Sequence, residues 1–117
     1  PRNPDALNQG EVWLVDFAPK VGDEIDKIRP AVIVSSNSVG RLRLKIVVPI
    51  TDPGVTPHSW QVRLDPDLTN GLSKSSFADC FQIKSLSQQR FVKKIGLLSH
   101  DSYDEIRVAL AKVLDLL

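Results

Sequence analysis

The chain has 117 residues, 42% hydrophobic and 25% charged, with a formal net charge of +1. That length suits one globular domain over 1–117, able to bury roughly two thirds of its unfolded surface. A single cysteine excludes an intramolecular disulfide, the absence of any apolar run near roughly 20 residues excludes a membrane-spanning helix, and Pro1-Arg2-Asn3-Pro4 lacks the apolar region of a signal peptide, so a cytoplasmic protein with no membrane association is expected.

Glu11-Val12-Trp13-Leu14-Val15-Asp16-Phe17 follows Gly10, is rich in β-formers and partly alternates, which predicts a first strand. Pro19 to Ile28 is polar, contains Gly22 and has no periodicity, so it reads as a loop long enough to carry function. A second strand is predicted from Pro30 to Ser35, with Pro30 at its first position or on an edge because it has no N–H to donate. Arg29 stands where the acidic loop meets this apolar strand, which places a guanidinium on rigid backbone beside a movable segment. The plain alternative is a surface hairpin in which Arg29 pairs with Glu24 or Asp26.

Farther along, Leu42, Leu44, Ile46 and Val48 share one face of a third strand, and Arg43 and Lys45 are expected to point toward solvent or a polyanion. Trp60, Val62 and Leu64 alternate with Gln61 and Arg63 as a fourth strand. A longer β segment from Ser76 to Leu86 follows, then a short one from Val92 to Leu97. In the last element, Asp101 to Leu117, the residues Tyr103, Ile106, Leu110, Val113 and Leu117 fall three and four apart and predict an amphipathic helix that Ser99 or Asp101 can cap. Short strands followed by one helix imply a mainly β fold with a C-terminal α-helix packed on a strongly bent antiparallel sheet or barrel.

Charge is uneven, because residues 41 to 94 carry nine Lys or Arg against four Asp or Glu. The resulting basic surface permits nucleic-acid binding without requiring it. Cys80 sits in an apolar stretch and reads as core filler. His58 and His100 titrate in the range useful for acid–base chemistry, but each lies in an ordinary surface setting.

Gly10-Glu11-Val12-Trp13, Gly22-Asp23-Glu24 with Arg29-Pro30, Val48-Pro49-Ile50-Thr51, Gly71-Leu72-Ser73-Lys74-Ser75, and Gln82-Ile83-Lys84-Ser85-Leu86 followed by Arg90 together resemble the MazF/PemK family of toxin endoribonucleases over nearly the whole chain. The resemblance implies a small, partly open antiparallel β-barrel of the MazF/CcdB toxin type, paired as a homodimer. It also implies cleavage of single-stranded RNA without a metal or other cofactor, and neutralisation by a cognate antitoxin through an acidic, partly disordered segment. Family members with this pattern use the arginine of Arg-Pro and the threonine after Pro-Ile as the catalytic pair, here Arg29 and Thr51.

That pair suits the chemistry. A permanently charged guanidinium stabilises added charge on phosphate, and a threonine hydroxyl can hydrogen-bond a phosphate oxygen or the attacking group. Glu24 is a candidate base, the alternative being that it holds Arg29 in place. The Arg and Asp that the PemK branch carries two residues apart are matched here by Asp79 and Phe81. Phe17, Lys20, Gln82 and Lys84 are candidates for contact with RNA. A non-catalytic toxin of the same fold that poisons a protein such as DNA gyrase is the rival reading, set against it by Arg29-Pro30 and Pro49-Ile50-Thr51.

Overall fold

The computed structural model describes residues 7–39, 43–54 and 57–116, so the placements expected for Leu42 and Leu117 lie outside the described residues. β1 (Glu11–Asp16), β2 (Ile28–Ile33), β3 (Leu44–Thr51), β4 (Gln61–Leu64), β5 (Ser76–Asp79), β6 (Lys84–Ser87) and β7 (Phe91–Leu97) are followed by α1 (His100–Val113). The strands form one antiparallel sheet in the order β4-β5-β3-β2-β1-β7, with β6 also paired to β3. Its two end strands do not pair with each other, so the barrel is open.

Both faces of the central strands are covered. Val12, Val32, Val48, Ile50, Val62 and Ala78 meet Ile106 and Ala109 of α1 on one face, while Trp13, Val15, Phe17, Ala31, Ile33, Val47, Leu86 and Phe91 pack on the other. Burial on two sides explains why β2 and β3 read as continuous apolar runs instead of clean alternation. The helix follows the three-and-four spacing, and Ser99 is its cap: its hydroxyl accepts the Ser102 N–H at 3.2 Å. Such a cap contributes about 1 kcal/mol.

Three expectations need correction. β2 begins at Ile28, so Pro30 lies inside the strand opposite Leu14 and not at its first position. Val34 N–H bonds Ile46 on β3, and alternation therefore turns Pro30 toward β3 as well, where the ladder starts only at the Ala31 and Pro49 pair. The missing N–H costs no bond there. Lys45 is buried at 7% exposure, whereas Leu44 and Ile46 are 47% and 39% exposed. α1 packs over β4 and the turn after β5, so it leaves this end of β3 bare on the face that Leu44 and Ile46 share. Finally, the segment from Ser76 to Leu86 is not one strand. Asp79 accepts the Phe81 N–H at 3.2 Å and caps a 3-10 turn over Cys80–Gln82, after which β6 returns to the same edge of β3.

At the start of β1, Glu11 is buried with Asn8 N–H at 2.9 Å, Trp13 Nε1 at 3.0 Å and Lys94 Nζ at 2.9 Å. Burial pushes its carboxyl up, but these donors and the Lys94 charge outweigh burial and leave it below its ordinary value of 4.5. A depressed folded pKa gives stability that is present above the unfolded value and lost as pH falls through the folded one. Thermal stability is therefore expected to drop as pH falls below 4.5, and Glu11→Gln is expected to flatten that drop. Superimposable melting-temperature profiles for parent and variant would show that the Glu11 charge contributes nothing.

Candidate active site

Ala31 pairs with Pro49 across β2 and β3. Counting two residues back on β2 and two onward on β3 brings Arg29 and Thr51 opposite one another, on one face and at the end of that ladder. Both line a cavity of about 370 Å³, together with Asp52, Ser73, Lys74 and Ser76. Arg29 Nε donates to the Asp26 main-chain oxygen at 3.1 Å. Among the described residues it forms no ion pair, so the surface-hairpin pairing with Glu24 or Asp26 carboxylates is absent.

Lys74 and Asp52 are site residues that the sequence reading did not single out. Lys74 Nζ lies 2.6 Å from Asp52 Oδ1. The Lys74 hydrogen bond, then its charge and that of Arg29, hold the Asp52 carboxyl below its usual range. Asp52 is the acidic side chain on this cavity wall, and its lowered pKa favours holding Lys74 over taking protons. The only signal in the sequence was the Gly71-Leu72-Ser73-Lys74-Ser75 stretch, to which no role was attached.

The local fold that delivers Lys74 is compact. Buried Asn70 accepts from Leu72 N–H at 3.0 Å and donates to Asp65 O at 2.8 Å, and Leu97 N–H of β7 bonds Thr69 O at 2.8 Å. Gly71, at φ +73°, lies where a Cβ would overlap the Ile95 carbonyl, and a Cβ on Gly96 would overlap the Asn70 carbonyl. Glycine is required at both crossings.

Glu24 is elsewhere. It lines a second cavity of about 800 Å³ that also takes in Phe17, Gln82 and Lys84. Its carboxylate accepts Val21 N–H at 2.9 Å and faces Lys84 Nζ at 3.7 Å. The structure therefore separates Glu24 from Arg29 and Thr51, because the loop that joins them in sequence bends away at Lys27, φ 67°. Phe17 is only 1% exposed and belongs to the core, which makes it a wall and not a stacking platform. Gln82 spends its amide on the loop, accepting Ile25 N–H at 3.0 Å and donating to Asp23 O at 3.1 Å. Lys20 is exposed on the loop after β1 and is not among the residues lining either cavity. His58 stacks on Trp60 and His100 faces Asp104 at 3.4 Å on its own helix, so the two histidines form no pair. Burial and the neighbouring Asp79 push the Cys80 thiol up to about 12, which suits a core filler.

Two cations and a hydroxyl on the wall of one small cavity suit a phosphate. The family described as PemK-like, MazF-like toxin of type II toxin-antitoxin system matches residues 8–114. This chain belongs to that toxin family. A relative named endoribonuclease MazF9, from Mycobacterium tuberculosis, is 32% identical over 94% of this chain and 98% of its own length. The crystal structure of MazF from Deinococcus radiodurans has a TM-score of 0.78 at 24% identity, covering 92% of this chain and 96% of that one. An endoribonuclease in complex with its cognate antitoxin, from mycobacterial species, has a TM-score of 0.75 at 21% identity, covering 94% and 96%. The fold expected of the toxin is thus borne out, and the gyrase-poison alternative gains no support from these relatives. Every residue of the two cavities falls inside the matched span.

Proposed function

We propose that this toxin is an endoribonuclease that cuts single-stranded RNA at short sequence motifs, with the scissile phosphate in the cavity of Arg29, Thr51 and Lys74. The observation that carries the reading is that Arg29 and Thr51, distant in sequence, line one cavity with a second cation. In this scheme the ribose 2′-hydroxyl gives its proton to solvent water, its oxygen bonds to phosphorus, and the P–O5′ bond breaks as O5′ takes a proton from water. Arg29 and Lys74 stabilise the added charge on the phosphate, and the Thr51 hydroxyl bonds a phosphate oxygen or the attacking group. Asp52 positions Lys74. Glu24 and Gln82 act on the loop, and Lys84 and Lys20 offer charge to the backbone of the RNA.

The same cations attract carboxylates, which supports inhibition by an acidic antitoxin segment laid over this cavity. The exposed Leu44 and Ile46 on β3 support a homodimer, and the lone unpaired thiol of buried Cys80 supports a reducing compartment such as the cytoplasm. Purified protein incubated with a long unstructured RNA is expected to leave 2′,3′-cyclic phosphate and 5′-hydroxyl ends, unchanged in rate by a chelator. Activity lost on chelation and restored by magnesium would overturn the metal-independent scheme, and intact RNA would overturn the function.

A further inference from the structure

The chemistry above leaves one wall of the larger cavity unused. There His58 lies flat on Trp60, centroids 4.4 Å apart and planes 3° apart, and Phe81 meets Trp60 edge-on at 5.5 Å. Phe81 is 65% exposed even though the capped 3-10 turn fixes its backbone. The turn thus holds a phenyl ring out at the cavity rim without using it in the core.

Asp79 stands beside these rings. Its carboxyl accepts the N–H groups of Phe81 and Gln82 and feels the nearby His58. Two oxygens offer about four acceptor positions, so capacity remains for a donor arriving from the cavity. The ladder pairs Ile50 with Ala78, which sets Pro49 against Asp79 on the same face. Pro49 and Asp79 line the larger cavity, and Thr51 lines the smaller one. Thr51 is two residues from Pro49 along β3, about 7 Å, so one extended strand of RNA can lie in both cavities.

We propose that His58, Trp60 and Phe81 form a stacking subsite for one unpaired base of the RNA substrate, with the Asp79 carboxyl accepting a hydrogen bond from that base's amino group. This rests on the endoribonuclease reading. Adenine, cytosine and guanine carry such an amino group, whereas uracil offers only its ring N3–H, so the subsite favours an amino-bearing base. Lys84, on the same cavity wall, supplies a cation for the adjoining phosphate. Aromatic side chains are the usual platform for single-stranded bases because every base has a flat π-face.

The test uses a non-cleavable 2′-O-methyl RNA that contains a mapped cleavage motif. Phe81→Ala is expected to weaken its binding by about tenfold or more, and Phe81→Trp is expected to keep parental affinity within about twofold. Replacing one base at a time with an abasic residue is expected to reveal one position whose loss costs the parent that same factor and costs Phe81→Ala nothing further. Because Phe81 is exposed, the variant keeps its core, and its melting temperature is measured alongside. Parental RNA affinity in Phe81→Ala, with cleavage still abolished by Arg29→Ala, overturns the subsite and leaves the endoribonuclease intact. RNA left uncut and unbound by the parent overturns both. Unchanged RNA affinity with weakened binding of an acidic antitoxin peptide also overturns the subsite, and makes the rings a protein-docking surface.

Discussion

Arg29→Ala is expected to lower the rate of RNA cleavage by roughly a hundredfold or more, the scale seen when one preorganised charge-stabilising donor is lost. Arg29 lies half-buried at the end of the β2 and β3 ladder, and its hydrogen bond to Asp26 O fixes the side chain before any ligand arrives. Charge placed in advance acts most strongly where it develops in the transition state, so the loss falls on turnover more than on binding. Lys74 remains, but Asp52 already takes part of its charge at 2.6 Å, so it cannot substitute. Thr51→Ala removes a neutral donor from the same cavity and is expected to cost a similar factor, because a hydroxyl that bonds the attacking group also sets its direction. Neither side chain belongs to the two core clusters, so melting temperatures are expected to stay within about 2 °C of the parent. A folded Arg29→Ala protein that cleaves at the parental rate moves the site out of this cavity.

The largest expected loss of stability is at Gly96. A methyl group there overlaps the Asn70 carbonyl and lies within 2.5 Å of the Thr69 oxygen, both of which are backbone atoms held by the Leu97 N–H and by the Asn70 side chain. No rotamer relieves a clash with backbone. The loop must lift from β7, which breaks those bonds and opens the packing of Leu72, so Gly96→Ala is expected to cost about 3 kcal/mol and to lower the melting temperature by more than ~10 °C. Because the same loop carries Ser73 and Lys74 into the cavity, cleavage is expected to weaken even at temperatures where the variant is folded. An unchanged melting temperature for Gly96→Ala would mean that the loop does not rest on β7 in solution.

Much of this arrangement is legible in the residues. The spacing of Tyr103, Ile106, Leu110 and Val113 gives the helix and its buried stripe, and the loop-to-strand transition at Arg29 marks a cation on firm backbone. Pairing of Arg29 with Thr51 came only through family resemblance, since nothing local joins strands so far apart in sequence. Phase was the weak point on β3: from Ile46 to Ile50 every residue is apolar, so alternation cannot say which face is covered, and the position of α1 decides it. The break at Asp79 was hidden because Phe77, Ala78, Cys80, Phe81 and Ile83 make a plausible strand. Its cause is one side-chain-to-backbone bond, a competition that composition does not reveal. Glu24 was placed near Arg29 by nearness in sequence, and the bend at Lys27 undoes that nearness.

Gln82 holds the loop at Asp23 and Ile25 with both ends of its amide, and this sets a population. Each such bond contributes about 1 kcal/mol net, so these two alone add about 2 kcal/mol to the cost of lifting the loop, a factor of roughly thirty in the population with it free. A ligand that fits the closed loop binds with the full strength of its contacts. One that needs the loop lifted binds about thirtyfold more weakly than it would without these two bonds. The amide of a single glutamine thereby sets the relative standing of any two occupants that ask for different loop positions.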